Sequence, residues 1–423
     1  MLSLKFIREN SDLVKKNTQK RGKDSALVDE LLKVDEDWRR VKKDIDTIRQ
    51  ARNTVSENIN KAKKEGADAS KFIAEAKEIP AKLKTAEAEL EQVERHLIKT
   101  QKQIPNILHE EVPEGKDESE NVTRKEWGEK TKISNPINHA QLAEKLGVAD
   151  FESGARVAGN GFYYLQGDLA LLNQALVSFA IDFMNKKGYN YVETPLMVRR
   201  QVIDGVMSFA EMEDMIYKIA DEDLYLIGTS EHSLIGKYTG GTLKKEDLPL
   251  KLASYSMCFR KEIGSHGVDE KGLWRTHQFN KVEQVVICTA EQSWKLFDEL
   301  LANSEELMQS LELPYRVNEM CTGDLGDLKA RQMDIEAWLP RKNNYGEVGS
   351  CSNLTSAQAT RLGIKHVDKH GHREFCHTLN NTVLATSRIM VAILENNQEE
   401  DGSVKIPKVL QSYLGGKEKI KKI

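Results

Sequence analysis

The chain is short of cysteine, has no excess of one charge and carries no long apolar run, and each shortage removes a class of protein. Its five cysteines, Cys258, Cys288, Cys321, Cys351 and Cys376, are scattered through 423 residues with no C-x-x-C pair. That fits reduced thiols in a cytosolic protein better than a disulfide framework or zinc ribbon. Cys376-His377 could supply half of a metal site, but a buried thiol beside a polar neighbour accounts for it. Sixty-two Lys and Arg stand against 66 Asp and Glu, for a net charge of −4. A uniformly basic nucleic-acid binder is therefore excluded, and any RNA must meet local basic patches. The start, MLSLKFIREN, lacks the apolar core of a signal peptide, and no run reads as long enough to cross a bilayer, so no membrane is expected. Gly159-Asn160-Gly161 lacks the third glycine and the preceding strand of a dinucleotide fingerprint, and reads as a tight turn.

What is present is a charged, globular composition, 39% hydrophobic and 30% charged, long enough for two or three domains. Met1 to about Asp24 reads as a short strand or turn followed by a helix. From Leu31 the pattern is strict. Leu31, Val34, Trp38, Val41, Ile45, Ile48, Val55, Ile59 and Ala62 alternate spacings of three and four, skipping Arg52. After the turn at Gly66, the sequence Phe72, Ala76, Ile79, Leu83, Ala86, Leu90, Val93, Leu97 and Ile104 keeps the period. Two such runs joined by a short turn predict an antiparallel coiled-coil hairpin, each arm about 50 Å long at 1.5 Å per residue. Pro80 is expected to kink the second helix. Arg39, Arg40, Lys42, Lys43, Arg49, Arg52, Lys61, Lys63 and Lys64 lie on the solvated faces of the hairpin, with acidic residues interspersed. On charge alone that is a solvated coiled coil. Residues 109–150 turn irregular and read as a linker or docking segment.

The chemistry centres on Cys258 to Glu283. Leu252–Phe259 and Gln278–Cys288 read as antiparallel strands joined by a long polar loop, a length that marks function or disorder. Arg260 offers a planar fork for phosphate or carboxylate. Glu262 and Glu283 can accept from an amine or hydroxyl, and Phe279 offers a face for a purine. On charges alone this is an ordinary surface hairpin. The order F-R-x-E, loop, R-x-H-x-F-x-x-x-E, however, resembles motif 2 of the class II aminoacyl-tRNA synthetases, and its wording resembles the seryl-tRNA synthetases. The helix Leu169–Lys187 with Gly188, then YNYVETPLM, resembles motif 1. His377 to Leu394, with Arg388, resembles motif 3, although Ala385-Thr386-Ser387 stand where glycines are usual. Gly228-Thr229-Ser230-Glu231 reads by itself as a helix cap, and resembles the family's Thr-x-Glu. GEVGSCSN, Gly346 to Asn353, resembles its ATP-binding strand.

The resemblance covers nearly the whole chain and implies an α+β architecture: a coiled-coil hairpin (1–108) that grips tRNA(Ser), the segment 109–150, and a class II antiparallel-sheet catalytic domain (151–423). It implies a cytoplasmic homodimer that joins L-serine to tRNA(Ser) with ATP and Mg²⁺, and to tRNA(Sec) where that exists. Thr229, Glu231, Arg260, Glu283 and Thr382 are implied to hold serine. Arg260, Lys261, Glu262, Thr276, Phe279, Glu347, Val348, Gly349, Ser350 and Arg388 are implied to hold ATP, and Glu347 and Ser350 the metal. Arg260, Glu262 and Arg388 are implied to be catalytic. The competing readings are an inactive paralogue and a coiled-coil RNA-binding protein; intact Arg260, Glu262, Glu283, Glu347 and Arg388 argue against both. The tail from Gly415 to Ile423 reads as short, basic and mobile.

Overall fold

The computed structural model describes residues 1–207, 215–262 and 272–422. They divide into two compact units, Met1–Pro105 and Asn106–Ile423.

The first unit is helical throughout the described elements. The start is α1 (Leu4–Glu9), capped by the Ser3 hydroxyl, then α2 (Ser11–Lys20), so no strand precedes them. The hairpin follows as α3 (Ala26–Lys64) and α4 (Ser70–Gln103). Every residue of the two heptad runs is buried or half-buried, while Arg52, skipped by the pattern, is exposed. Cross-helix bonds run in opposite directions along the two helices: Trp38 Nε1 donates to Glu94 at 3.1 Å, and Arg49 to Glu87 at 3.1 Å. Pro80 lies exposed inside a helix that continues past it in both directions. The side chain of Arg39 is drawn to Asp35, which is 1% exposed and also holds Arg8.

The second unit is built on an eight-stranded sheet. Its strands are β1 (Val122–Trp127), β2 (Asn190–Tyr191), β3 (Leu250–Phe259), β4 (Gln278–Cys288), β5 (Tyr315–Glu319), β6 (Arg331–Leu339), β7 (Asn344–Asn353) and β8 (His377–Ala385). Their spatial order is β1-β5-β6-β7-β8-β4-β3-β2, antiparallel except for the β2–β3 pair. The irregular segment 109–150 is part of this unit: it supplies β1 at one sheet edge and α5 (His139–Leu146). Its Pro- and acid-rich wording hides this, because a short edge strand needs only one paired side.

Successive side chains of a strand point to opposite faces, and β4 shows what each face meets. Asn280, Val282, Gln284 and Val286 point toward helices. Asn280 bonds Asn173 on α6 (Gly167–Lys186), and Gln284 bonds the Leu300 carbonyl on the helix Ser293–Ser310. Phe279, Lys281 and Glu283 point the other way, into a cleft. By length and composition α6 is apolar enough to cross a membrane, contrary to the expectation that no run is. Its Leu169, Leu172, Leu176, Ala180, Phe183 and Met184 are instead buried in the core of this unit. The segment YNYVETPLM carries β2 and the start of a second short strand, Met197–Val198. The tail is not loose either: Lys419–Ile420 pairs with Val404–Lys405, and Ile420 is fully buried.

Candidate active site

The cleft floor is assembled by register. On the hairpin β3–β4, Arg260 follows the end of one strand and its Nε donates to the Gly228 carbonyl at 3.3 Å. The middle of the connecting loop, 263–271, lies outside the described residues. Glu283 on β4 sits directly opposite Thr382 on β8. Glu347 and Ser350 are three apart on β7, a spacing that normally sends side chains to opposite faces. A bulge resolves this: Glu336 pairs with Glu347 but Ile335 with Gly349, so Val348 is the extra residue and Asp334 faces Ser350. Both Glu347 and Ser350 therefore line the cleft, while Val348 is 4% exposed and packed in the core. A second bulge, at Val383, lies beside Thr382.

α7 (Arg200–Val206) and α8 (Ser230–Gly236) form one wall. Thr229 is the N-cap of α8: its hydroxyl accepts from the Glu231 N–H at 3.3 Å. Thr229 is thus a helix cap that also lines the cleft.

The cleft has a volume of about 960 Å³, and Thr229, Glu231, Arg260, Glu283, Glu347, Ser350 and Thr382 line it. A smaller hollow shares its walls and is lined by Arg260, Glu262, Thr276, Phe279, Glu347, Val348, Gly349, Thr382 and Arg388. Every expected site residue thus lies on one of the two, except Lys261. Its N–H donates to the Met215 carbonyl at 3.0 Å, and it lines neither hollow.

The charges are paired across the floor. Arg388 binds Glu347 through both its carboxylate, at 3.0 Å, and its backbone carbonyl, at 2.9 Å. Burial pushes the Glu347 carboxyl up, but Arg388, with Arg260 beyond it, holds it below its ordinary value. Glu283 is ion-paired with Lys281, and both are buried. Burial and then the neighbouring Glu283 push Glu231 up to about 7. Burial takes His232 down to about 3, so it is a neutral imidazole in the wall. The Arg260 guanidinium lies 5.3 Å from the Phe279 ring centre, and that of Arg388 lies 5.4 Å from Trp274.

Sequence reasoning missed Lys281, Trp274, Asp334 and Asn380, which all line the cleft. Lys281 was findable, because it stands two before Glu283 and must share its face. Asp334 needed the bulge. Glu347 and Ser350, with Asp334 beside them, are hard oxygen donors suited to Mg²⁺, which keeps waters and takes phosphate oxygens. Among the described residues no group of three or more His, Cys, Asp or Glu is placed to hold a metal.

Two family models match the chain. That of the seryl-tRNA synthetase N-terminal domain covers residues 1–108, and that of the tRNA synthetase class II core domain (G, H, P, S and T) covers 216–397. The serine–tRNA ligase of Methanocella arvoryzae is 48% identical over 99% of this chain and 100% of its own. The chain belongs to the seryl-tRNA synthetase family. A further family member, the serine–tRNA ligase of Thermococcus sibiricus, is 44% identical over 99% of this chain and 97% of its own. Among solved structures, the seryl-tRNA synthetase of Pyrococcus horikoshii complexed with ATP superposes with a TM-score of 0.92 at 43% identity, covering all of both chains. The cytoplasmic serine–tRNA ligase of Naegleria fowleri in complex with AMP gives 0.88 at 33% identity, covering 100% of this chain and 99% of its own. The family's two-part organisation matches the helical unit and the antiparallel sheet described above.

Proposed function

We propose that this chain activates L-serine with ATP and transfers the seryl group to tRNA(Ser). One observation carries the reading: a cleft lined by Thr229, Glu231, Glu283 and Thr382 and a hollow flanked by Phe279 and Arg388 share Arg260 as a common wall. Glu231 and Thr229 accept the ammonium, and Glu283 with Thr382 take the side-chain hydroxyl. Arg260 bridges the serine carboxylate and the α-phosphate. The carboxylate oxygen attacks the α-phosphorus, the bond to the β-phosphate oxygen breaks, and pyrophosphate leaves. The ribose 3′-OH of tRNA then attacks the seryl carbonyl and AMP departs. Neither step needs a protein nucleophile, because positioning and charge neutralisation carry such chemistry. Glu262 and Thr276 hold ATP, Phe279 stacks on adenine and Arg388 closes over the nucleotide. Glu347 and Ser350 would hold Mg²⁺, which neutralises phosphate charge when bound. The experiment is amino-acid-dependent ATP–pyrophosphate exchange with serine, threonine and alanine. Exchange with serine alone is expected, and folded protein inactive with all three sinks the reading.

The ammonium requires an ionised Glu231. kcat/KM for serine should therefore hold above about pH 7 and fall about tenfold per unit below it, as Glu231 takes up a proton in the free enzyme. A profile flat from pH 6 to 8 contradicts the assignment.

The hairpin of α3 and α4 is the proposed tRNA grip, read by shape and phosphate. Replacing residues 26–103 with a short linker should leave serine-dependent exchange within about threefold and cut aminoacylation at limiting tRNA by at least about 10²-fold. Equal loss of both activities would place the arm's role elsewhere. A homodimer and a cytoplasmic setting belong to the same proposal. Leu171, Leu196 and Met197, exposed on α6 and the segment after it, support the dimer, and five buried free thiols support the reducing compartment. Sedimentation of the purified chain tests the dimer.

A further inference from the structure

Behind Glu231, outside the cleft lining, lies Gln358 on the helix Ala357–Leu362. It is fully buried, and both ends of its amide are engaged. Nε2 donates to Glu231 Oε1 at 2.7 Å and to the Val206 carbonyl at 3.1 Å, and Oε1 accepts from the Thr378 hydroxyl at 2.6 Å. These partners determine which end is nitrogen, since the flipped amide would aim its oxygen at a carboxylate and a carbonyl. Asn380 Nδ2 donates to the same Glu231 oxygen at 2.8 Å. Two neutral donors thus occupy Oε1. Among the described residues none donates to Oε2, which leaves that oxygen for a ligand.

We propose that Gln358 is a positioning residue for amino-acid activation, fixing the Glu231 carboxylate so that its second oxygen meets the substrate ammonium. The inference rests on the reading of Glu231 as the ammonium acceptor. It explains why an uncharged double donor stands here. Glutamate would set a second carboxylate against Glu231, and an apolar side chain would leave Oε1 and the Val206 carbonyl short of a donor. The charged groups around Glu231 are Glu283 and Lys281 on β4, Lys329 before β6, and Arg260 after β3; His232 on its own helix is neutral. Hydrogen bonds to a carboxylate favour its charged form, so losing Gln358 makes Glu231 easier to protonate.

The test is pyrophosphate exchange by the full chain from pH 6 to 8.5, with the KM for serine and for ATP measured separately. Gln358→Met should raise the serine KM about tenfold, leave the ATP KM within about twofold, and move the acid limb of kcat/KM for serine upward by about one pH unit. Gln358→Glu should move the limb further in the same direction. Thr378→Val, which frees the amide without removing it, should give a smaller shift of the same sign and serves if the Gln358 variants do not fold. A folded variant with the wild-type serine KM and an unmoved limb overturns the proposal, even if its melting temperature falls. Wild-type protein without serine-dependent exchange would overturn the functional reading itself, a result distinct from a normal wild type beside an unmoved variant.

Discussion

Arg260→Ala is expected to lower kcat for serine-dependent pyrophosphate exchange by about 10³-fold, the scale on which a preorganised donor to developing charge acts. The side chain is held before any substrate arrives. Its Nε is bound to the Gly228 carbonyl, and its guanidinium lies against Phe279. The strand end that carries it is fixed in turn: the Arg260 N–H donates to the His277 carbonyl, and His277 Nδ1 lies 2.9 Å from the Arg260 carbonyl. Gly161 packs against the same imidazole with φ near +80°, where an added Cβ would meet His277 Cδ2 at 2.5 Å. Arg260→Lys keeps the charge but loses the planar fork and should recover no more than about a tenth of the lost rate. Exchange kinetics with circular dichroism on the same samples check both variants. A folded Arg260→Ala protein with exchange within tenfold of wild type would falsify the bridging role.

Glu283→Ala is expected to abolish serine activation, by about 10³-fold or more in kcat/KM, while ATP still binds within a few-fold of wild type. A buried acceptor built for a hydroxyl rejects ligands without one, because its own hydrogen-bonding capacity is left unmet. For the same reason the wild type should exclude alanine, and threonine should be excluded by the bulk of its extra methyl. Glu283 is almost wholly buried beside Lys281, so removing it also strands a buried ammonium, at a cost of about 3–5 kcal/mol of stability. Glu283→Gln keeps the shape and should cost less stability, yet still lose most serine activity. Calorimetry of ATP binding beside pyrophosphate exchange separates the effects, and parallel loss of ATP and serine binding contradicts the assignment.

Local pattern was enough for much of this protein. The heptad runs from Leu31 and Phe72 specify two long helices, because a 3.5-residue apolar period has one physical solution, a seam between helices. β4 was legible end to end, from an apolar run that closes a polar loop. The wording around Arg260, Glu283, Glu347 and Arg388 carried the resemblance to the family to which the chain belongs. Tertiary structure decided what depends on pairing distant segments. The bulges at Val348 and Val383 are properties of register between strands, which no single strand encodes, and the first of them brings Glu347 and Ser350 to one face. The segment 109–150 and the tail at Ile420 gain order from the distant elements they meet, β1 and the tail strand by pairing and α5 by burial. α6 is as apolar as a membrane helix, and its burial against the rest of the unit makes it a core helix instead. Gln358 lies 127 residues from Glu231. A buried amide finds its acceptor through space, and nothing in the residues beside either one predicts the partner.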